Sequence, residues 1–151
     1  MSAKTFRILH WVCRIGLGST FLYTGYIKLD SPLQFAAILY GYQLFPTSLI
    51  LPLSEYFPWF EIALGVLLLT GWKMRCAAIA ASGLLATFIG MLTLTYLRGS
   101  DANCGCFSFD DRITPLTIAR DGLIILPALY LAAESFLQRH RTSNIRPQAS
   151  N

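Results

Sequence analysis

Two cysteines separated by a single glycine, Cys104 and Cys106, lie in a polar gap between two long apolar runs. The Cα atoms of such a pair can come within the separation that a disulfide tolerates, although the closed ring is strained. Gly105 permits the unusual backbone angles that this ring needs, because it has no Cβ. Strained and exposed disulfides are more oxidising than structural ones and are typically labile or catalytic. The spacing therefore predicts a thiol–disulfide exchange centre, provided that the loop faces an oxidising compartment.

The composition of the chain indicates a lipid environment. Of its 151 residues, 54% are hydrophobic and 13% are charged, and soluble domains carry about twice that charged share. A helix crosses a bilayer with roughly 20 consecutive apolar residues. Four runs have about this length: residues 8–29, 49–72, 76–97 and 114–137. We therefore expect one all-α domain, residues 1–141, that forms an integral membrane four-helix bundle, followed by a polar cytoplasmic tail, residues 142–151.

Basic residues are distributed unequally between the two sides of these runs. Seven lie on the side of both termini and three on the opposite side: Lys4, Arg7, Lys73, Arg75, Arg139, Arg141 and Arg146 against Lys28, Arg98 and Arg112. The side with the excess of Lys and Arg is normally cytoplasmic. Both termini are therefore predicted to be inside (N-in, C-in). The cysteine loop is then predicted to lie outside the cytoplasm, where disulfides persist.

Zinc is the other partner that neighbouring cysteines suggest, and it needs about four ligands. Both histidines and the other two cysteines are predicted to lie on the cytoplasmic side: His10, His140, Cys13 and Cys76. They cannot complete a site with the loop cysteines within one chain, so no metal is expected. Two unconnected loop thiols remain the alternative to a redox pair. Cys13 and Cys76 are most simply explained as small packing residues.

Ionisable residues interrupt the apolar runs, and four of them are expected to form an intramembrane polar network: Arg14, Glu61, Arg120 and Asp121. Such groups usually face the interior of a bundle and have a partner there. The depths of Arg14 and Glu61 differ by roughly 6 Å at 1.5 Å per residue, so these two are expected to pair. Arg120 and Asp121 lie below the cysteine loop. Because adjacent helix positions point about 100° apart, these two are not expected to pair with each other alone.

Two interpretations of this polar network remain open. One is a buried ion-pair network that fixes the register of the helices. The other is a polar pocket for a quinone headgroup or a proton path. A bound quinone would let electrons leave a dithiol by way of the membrane, which makes quinone the candidate cofactor.

Small residues predict where the helices approach one another, because Gly and Ala let helix backbones meet closely within a membrane. They recur on three runs: Gly18 and Gly25 on the first, Gly65 on the second, and the pairs Ala77/Ala81 and Ala86/Gly90 on the third. Pro32, Pro46 and Pro52 are predicted to make the connection between the first two runs irregular. The aromatic stretch of this connection, residues 35–42, is expected along the outer interface of the membrane.

These residues resemble the MauE family of methylamine-utilisation membrane proteins, within the wider DoxX-like group. The resemblance covers roughly residues 14–120 and rests on four stretches: Gly18-x-x-Phe21-x-x-x-Gly25-x-x-Lys28-Leu29, Pro58-Trp59-x-Glu61-x-x-x-Gly65, Arg98-Gly99 and Cys104-Gly105-Cys106-Phe107. The first two are typical of DoxX-like proteins in general, whereas the Cys-Gly-Cys-Phe element points to MauE. Members often have Asp before the first cysteine and Gly after the phenylalanine, where this chain has Asn103 and Ser108.

The resemblance implies a four-helix, multi-pass protein of the bacterial inner membrane. MauE is associated with the maturation of methylamine dehydrogenase, whose small subunit carries many disulfides, and is thought to act with a thioredoxin-like periplasmic protein. The predicted function is therefore an inner-membrane thiol–disulfide relay whose redox pair is Cys104 and Cys106. Its expected partners are the lipid bilayer and a thioredoxin-like periplasmic protein, and no nucleic acid.

Two other functions fit the same sequence. A non-catalytic membrane assembly factor would bind its partner through the helices and use the cysteines only to shape a loop. A DoxX-like, quinone-linked oxidoreductase subunit would instead have its centre at Arg14 and Glu61.

Overall fold

The computed structural model describes residues 3–99, 103–105, 109 and 112–145 of the chain. Within these residues the secondary structure is helical: α1 (Ala3–Asp30), α2 (Pro32–Gly41), α3 (Thr47–Thr70), α4 (Met74–Leu97) and α5 (Pro115–Ile145). An isolated antiparallel bridge between Asn103 and Arg112 closes the base of the segment that joins α4 to α5. The described part of the chain thus has four long helices and one short one. The cysteine segment, which contains Cys104 and Gly105, lies between the last two.

Three helices in the described part of the chain are long and apolar enough to cross a membrane: α3, α4 and residues Pro115–Ser135 of α5. They coincide with the predicted runs 49–72, 76–97 and 114–137, which are confirmed as candidate spans. The first predicted run, residues 8–29, is helical throughout α1 but is not among these three helices. By length and composition, this is a multi-pass membrane protein.

The connection between α1 and α3 is not irregular as predicted, because it contains the ten-residue helix α2. Pro32 stands at the start of this helix, where its fixed φ is already helical and its missing N–H costs nothing. Phe35, Ile38, Leu39 and Tyr42 recur at helical spacing and are all buried, as expected of an amphipathic helix that packs on a core. These four side chains face the protein, whereas Leu33 and Tyr40 on the same helix are exposed, and the expectation that residues 35–42 lie along the membrane interface stays a prediction.

Helices α1 and α3 approach each other most closely at glycines. A Cβ built on Gly18 would lie 3.3 Å from the carbonyl oxygen of Gly65, and one built on Gly65 would lie 3.0 Å from that of Gly18. Further along the same seam, a Cβ on Gly25 would lie 3.0 Å from the carbonyl oxygen of Pro58. The pairing of increasing α1 numbers with decreasing α3 numbers shows that the two helices run antiparallel. The close approach predicted for these glycines is confirmed.

The small residues of α4 divide into two groups. Ala77 and Ala81 are buried in the same core cluster as Leu68 and Leu131, so this end of α4 packs closely against its neighbours. Ala86 and Gly90 are exposed, and a Cβ on Gly90 would meet nothing within 4 Å. The predicted close approach at the second pair is wrong within the chain, because the neighbouring helices pack against the other face of α4 there.

We expect Gly25→Val to destabilise the protein by about 1–3 kcal/mol, because its side chain would have to displace the backbone of α3. A Cβ at this position already lies 2.8 Å from Ile62 Cγ1. The matched control is Gly16→Val on the same helix, where a Cβ meets nothing within 4 Å. Unfolding in detergent, followed by circular dichroism, measures both. Equal losses for the two variants would contradict the close packing of α1 on α3.

Candidate functional site

The cysteine segment is held beneath α2. Cys104 is only 1% exposed and belongs to the same core cluster as Tyr42 and Leu92. The Tyr42 hydroxyl donates a hydrogen bond to the Cys104 carbonyl oxygen over 2.5 Å. Burial, together with the negative charge of Asp121, raises the pKa of the Tyr42 phenol, so the hydroxyl stays protonated and remains a donor. The backbone of Cys104 is therefore tied to the end of α2.

Gly105 meets two independent constraints. Its φ is +66°, in the left-handed region that residues with a Cβ rarely adopt. A Cβ at this position would also lie 2.8 Å from Ile38 Cδ1 on α2. The unusual backbone conformation predicted for this glycine is confirmed, and the close contact with α2 supplies a second reason for it.

The sulfur of Cys104 lies against a buried carboxylate. Cys104 Sγ is 3.5 Å from Oδ2 of Asp121, a residue on α5 that is 3% exposed. Cys104 is disulfide-bonded, so its sulfur has no proton to donate in this state. A reduced thiol at the same position would be a donor to the acceptor-only carboxylate. Cys106 lies outside the described residues.

Arg120 and Asp121, although adjacent on α5, do form an ion pair. Arg120 Nε donates to Asp121 Oδ1 over 3.2 Å, because the long arginine side chain spans the angle between neighbouring helix positions. The arginine side chain is 41% exposed and the aspartate side chain 4%. The second carboxylate oxygen of Asp121 contacts Cys104. Arg120 and Asp121 therefore do not pair with each other alone, which agrees with the sequence prediction.

Glu61 pairs with Lys28, and the predicted pair between Arg14 and Glu61 is wrong. Lys28 Nζ lies 2.6 and 2.8 Å from the two carboxylate oxygens of Glu61, and the two side chains are 3% and 7% exposed. The antiparallel register set by the glycine seam explains the difference. It places Arg14 opposite the C-terminal end of α3 and Lys28 opposite the middle of that helix.

Aromatic rings surround the buried ammonium group of Lys28. The Nζ atom lies 5.1 Å from the ring centroid of Phe35, 5.3 Å from that of Phe57 and 5.9 Å from that of Phe88. These distances are within the range of cation–π attraction. The rings belong to α2, α3 and α4, so the charge of a residue on α1 connects four helices.

Arg14 caps the C-terminal end of α3. Its Nε donates to the Leu68 carbonyl oxygen over 2.8 Å and its Nη2 to that of Leu69 over 2.7 Å. Cations are stabilised at a helix C-terminus, where carbonyl groups lack partners in the helix. Gly71, with φ +75°, closes this end of α3 against the guanidinium group. Arg14 is thus placed in a structural role at the end of α3, and its side chain binds backbone carbonyl groups there instead of Glu61.

A cavity of about 50 Å³ lies between α1, α3, α4 and α5. Its polar lining consists of Lys28, Glu61, Asp121, Thr20 and Thr24, and its apolar lining is Phe21, Phe57, Leu84, Leu85, Phe88 and Ile124. This space adjoins both the ion pair and the carboxylate that contacts Cys104, and its surface is mostly apolar.

The size of this cavity can be compared with the space that small molecules need. A cavity of roughly 150 Å³ accommodates benzene, whereas one water needs about 10–15 Å³. At about 50 Å³, the space is smaller than a benzene-sized cavity. Because it is partly open to the surroundings, this volume sets no upper limit on a ligand, and both interpretations of the polar network stay open.

The remaining cysteines have no part in this site. Cys13 and Cys76 are free thiols on α1 and at the start of α4. Among the residues that the structure describes, no group of three or more His, Cys, Asp or Glu side chains could hold a metal ion.

Sequence reasoning missed two contributors to the site. The charge pattern counts Lys28 among the basic residues of the outer side, although it stands in the same motif as Gly18 and Gly25. That motif was the signal, because the glycines set the register that brings Lys28 to Glu61. No sequence pattern indicated the contact between Tyr42 and Cys104, because this contact depends on helix α2, which the sequence did not predict.

We expect Lys28→Met to destabilise the protein by about 3–5 kcal/mol, because it leaves the Glu61 carboxylate buried without its cation. The double variant Lys28→Met/Glu61→Leu should recover most of that loss, since an apolar pair needs no charge compensation. Unfolding free energies in detergent test this, with exposed Glu55→Gln on the same helix as the control. A double variant whose loss of unfolding free energy equals the sum of the losses for Lys28→Met and Glu61→Leu alone would contradict a direct ion pair.

Comparisons with known proteins identify the family of this chain. No significant match was found among the curated proteins or among the solved structures. A protein-family model described as "Methylamine utilisation protein MauE" matches residues 6–134. The match contains both motifs of the α1–α3 seam, the cysteine segment and Asp121. The chain therefore belongs to the MauE family of methylamine utilisation proteins.

Proposed function

We propose that this protein is a thiol–disulfide relay of the inner membrane, in which Cys104 and Cys106 form the redox-active pair. The observation that carries the proposal is the contact between Cys104 Sγ and the buried Asp121 carboxylate, 3.5 Å apart. A disulfide that is only structural takes part in no proton transfer, so it needs no proton acceptor beside its sulfur atoms. Cys104 is disulfide-bonded while Cys13 and Cys76 are free, which leaves Cys106 as its proposed partner among the four cysteines.

One round of exchange needs only the partner, whose dithiol is the reductant in one direction and whose disulfide is the oxidant in the other. A thiolate of a partner dithiol attacks one sulfur of the pair, forming a mixed disulfide and releasing the other cysteine, which takes up a proton. The second partner thiol loses its proton and attacks the mixed disulfide, releasing the remaining cysteine. Two electrons and two protons have then passed from the partner to the pair. The reverse sequence donates a disulfide.

The burial of Cys104 indicates which sulfur the partner meets. Attack on a disulfide requires the incoming thiolate to reach the sulfur in line with the bond that breaks. Cys104 is 1% exposed, with α2 above it and Asp121 beside it. We therefore propose that the mixed disulfide forms through Cys106 and that Cys104 resolves it.

The partner that suits this exchange is a periplasmic protein with a thioredoxin-like dithiol. Family membership supports a role in methylamine utilisation, and the proposed substrates are disulfide-containing periplasmic enzymes such as methylamine dehydrogenase. The relay would keep the disulfides of such enzymes correctly formed during their maturation.

The proposed topology has α1 as a fourth span of the bundle, with both termini in the cytoplasm. α1 packs antiparallel on α3, which is a candidate span, and its 28 residues correspond to roughly 42 Å. Lys73 lies at one end of α4 and Arg98 at the other. The basic excess on the Lys73 side supports an extracytoplasmic position for the Arg98 end and for the cysteine segment that follows it.

We expect Cys104→Ser to accumulate a mixed disulfide with a periplasmic protein, because the attacked Cys106 keeps its partner when the resolving thiol is missing. Cys106→Ser should trap none. The measurement is non-reducing electrophoresis of membranes after acid quenching, followed by identification of the trapped protein. The matched control is Cys76→Ser, which leaves the pair intact. No adduct in either loop variant, together with full function of a Cys104→Ser/Cys106→Ser double variant, would show that the protein is a non-catalytic assembly factor.

The orientation is tested by single cysteines at the two ends of α4, in a background with all four native cysteines replaced. A membrane-impermeant maleimide added to cells with a permeable outer membrane should label Arg98→Cys, since that end is proposed to be extracytoplasmic. Lys73→Cys should react only after the inner membrane is broken. Both positions are exposed, so accessibility within the fold is matched. The opposite labelling pattern would reverse the topology.

A further inference from the structure

We propose that Asp121 is the catalytic proton acceptor and donor of Cys104, so that the resolving thiol is activated inside the protein and not by bulk hydroxide. This inference rests on the proposed exchange function. It extends that function by assigning a proton-transfer residue on α5, a helix separate from the cysteine segment.

The geometry places the two reacting groups in direct contact. Asp121 Oδ2 lies 3.5 Å from Cys104 Sγ, a distance at which a thiol proton can pass to a carboxylate oxygen. Both residues are almost fully buried, at 3% and 1% exposure. A proton leaving Cys104 therefore meets the Asp121 carboxylate before it meets bulk water.

The electrostatics also favour a shared proton. A bare thiolate next to an ionised carboxylate in an apolar environment is disfavoured twice, by desolvation and by like-charge repulsion. One proton held between the two groups removes the repulsion and leaves a single negative charge on the pair. In the reduced protein we therefore infer that Cys104 and Asp121 hold one proton between them.

Several groups on the surrounding helices face this single negative charge. Arg120 Nε lies 3.2 Å from Asp121 Oδ1 on the same helix. Lys28 from α1 and Glu61 from α3 border the same cavity as Asp121, whereas α4 contributes only apolar side chains to it. The charge of Asp121 also acts on the phenol of Tyr42 from α2. Lys28 is paired with Glu61, so Arg120 is the cation whose direct contact with the Asp121 carboxylate is described.

The step balances in both directions. When a partner is attached to Cys106, the Cys104 thiol gives its proton to the Asp121 carboxylate. Its sulfur then bonds to Cys106 and expels the partner as a thiolate. When a partner dithiol reduces the pair, the Cys104 sulfur leaves with the electron pair of the broken bond and takes the proton back from Asp121. No oxidant or reductant is needed apart from the partner's own sulfur atoms.

The test follows resolution of a glutathione adduct at the pair. The reduced protein in detergent is treated with oxidised glutathione, which forms the mixed disulfide, and intact-protein mass spectrometry follows loss of the adduct as the internal disulfide closes. In Asp121→Asn we expect resolution at pH 7 to be about a hundredfold slower, a typical loss for removal of a general base. Raising the pH should restore the rate, because hydroxide then removes the thiol proton. Asp121→Glu, which keeps a carboxylate, should retain the wild-type pH profile.

The unmodified protein supplies an independent measurement that does not depend on the folding of a variant. If Asp121 takes the proton, the wild-type resolution rate should change less than about threefold between pH 6 and 8. An unassisted thiol with a pKa of about 8.5 would instead gain close to tenfold per pH unit over much of this range. That steep dependence would overturn the proposal.

The control is Asp30→Asn, which makes the same chemical change at an exposed residue at the end of α1; it should resolve the adduct at the wild-type rate. An Asp121→Asn protein that resolves at the wild-type rate or faster would show that the carboxylate is not a base and would overturn this inference alone. A wild-type protein that never forms or resolves the adduct would instead overturn the proposed exchange function.

Discussion

The buried ion pair between Lys28 and Glu61 is the interaction on which the arrangement of this protein depends. Two charges removed from water cost several kcal/mol each unless they meet with good geometry. Here both carboxylate oxygens accept from one ammonium group, and three aromatic rings face that group. The pair is possible because Gly18, Gly25 and Gly65 let α1 and α3 come close and fix their register. A shift of one helical turn along the seam would leave both charges buried and unpaired.

The ion pair also determines where the cysteine segment can lie. Phe35 of α2 contacts the Lys28 ammonium, and the same short helix presents Ile38 to Gly105 and Tyr42 to the Cys104 carbonyl. The segment therefore rests on a helix that is itself anchored over the buried charge. From the other side, Asp121 of α5 borders the cavity next to Lys28 and Glu61 and contacts the Cys104 sulfur. The contacts that pack the helices therefore also position Cys104 and Asp121 for the proposed thiol–disulfide exchange.

Much of this could be predicted from the sequence, for identifiable physical reasons. Apolar runs of membrane length located α3, α4 and the candidate span Pro115–Ser135 of α5 to within a few residues, and the missing Cβ of Gly105 indicated its left-handed conformation. The partner of Glu61 could not be found from depth alone, because the seam glycines set the register of α1 against α3. α2 was missed because prolines at both ends of the connection suggested irregular backbone. Pro32 in fact begins the helix.

The central claim, that Cys104 and Cys106 exchange disulfides with a partner, is tested most directly by the reduction potential of the pair. It can be measured in isolated membranes equilibrated with glutathione redox buffers, by alkylation of the thiols that form. Disulfides that exchange with protein partners have potentials of about −120 to −270 mV, whereas structural disulfides usually lie below about −300 mV. The account predicts a value within the first range. A potential below about −300 mV, with the pair oxidised in every buffer, would contradict it.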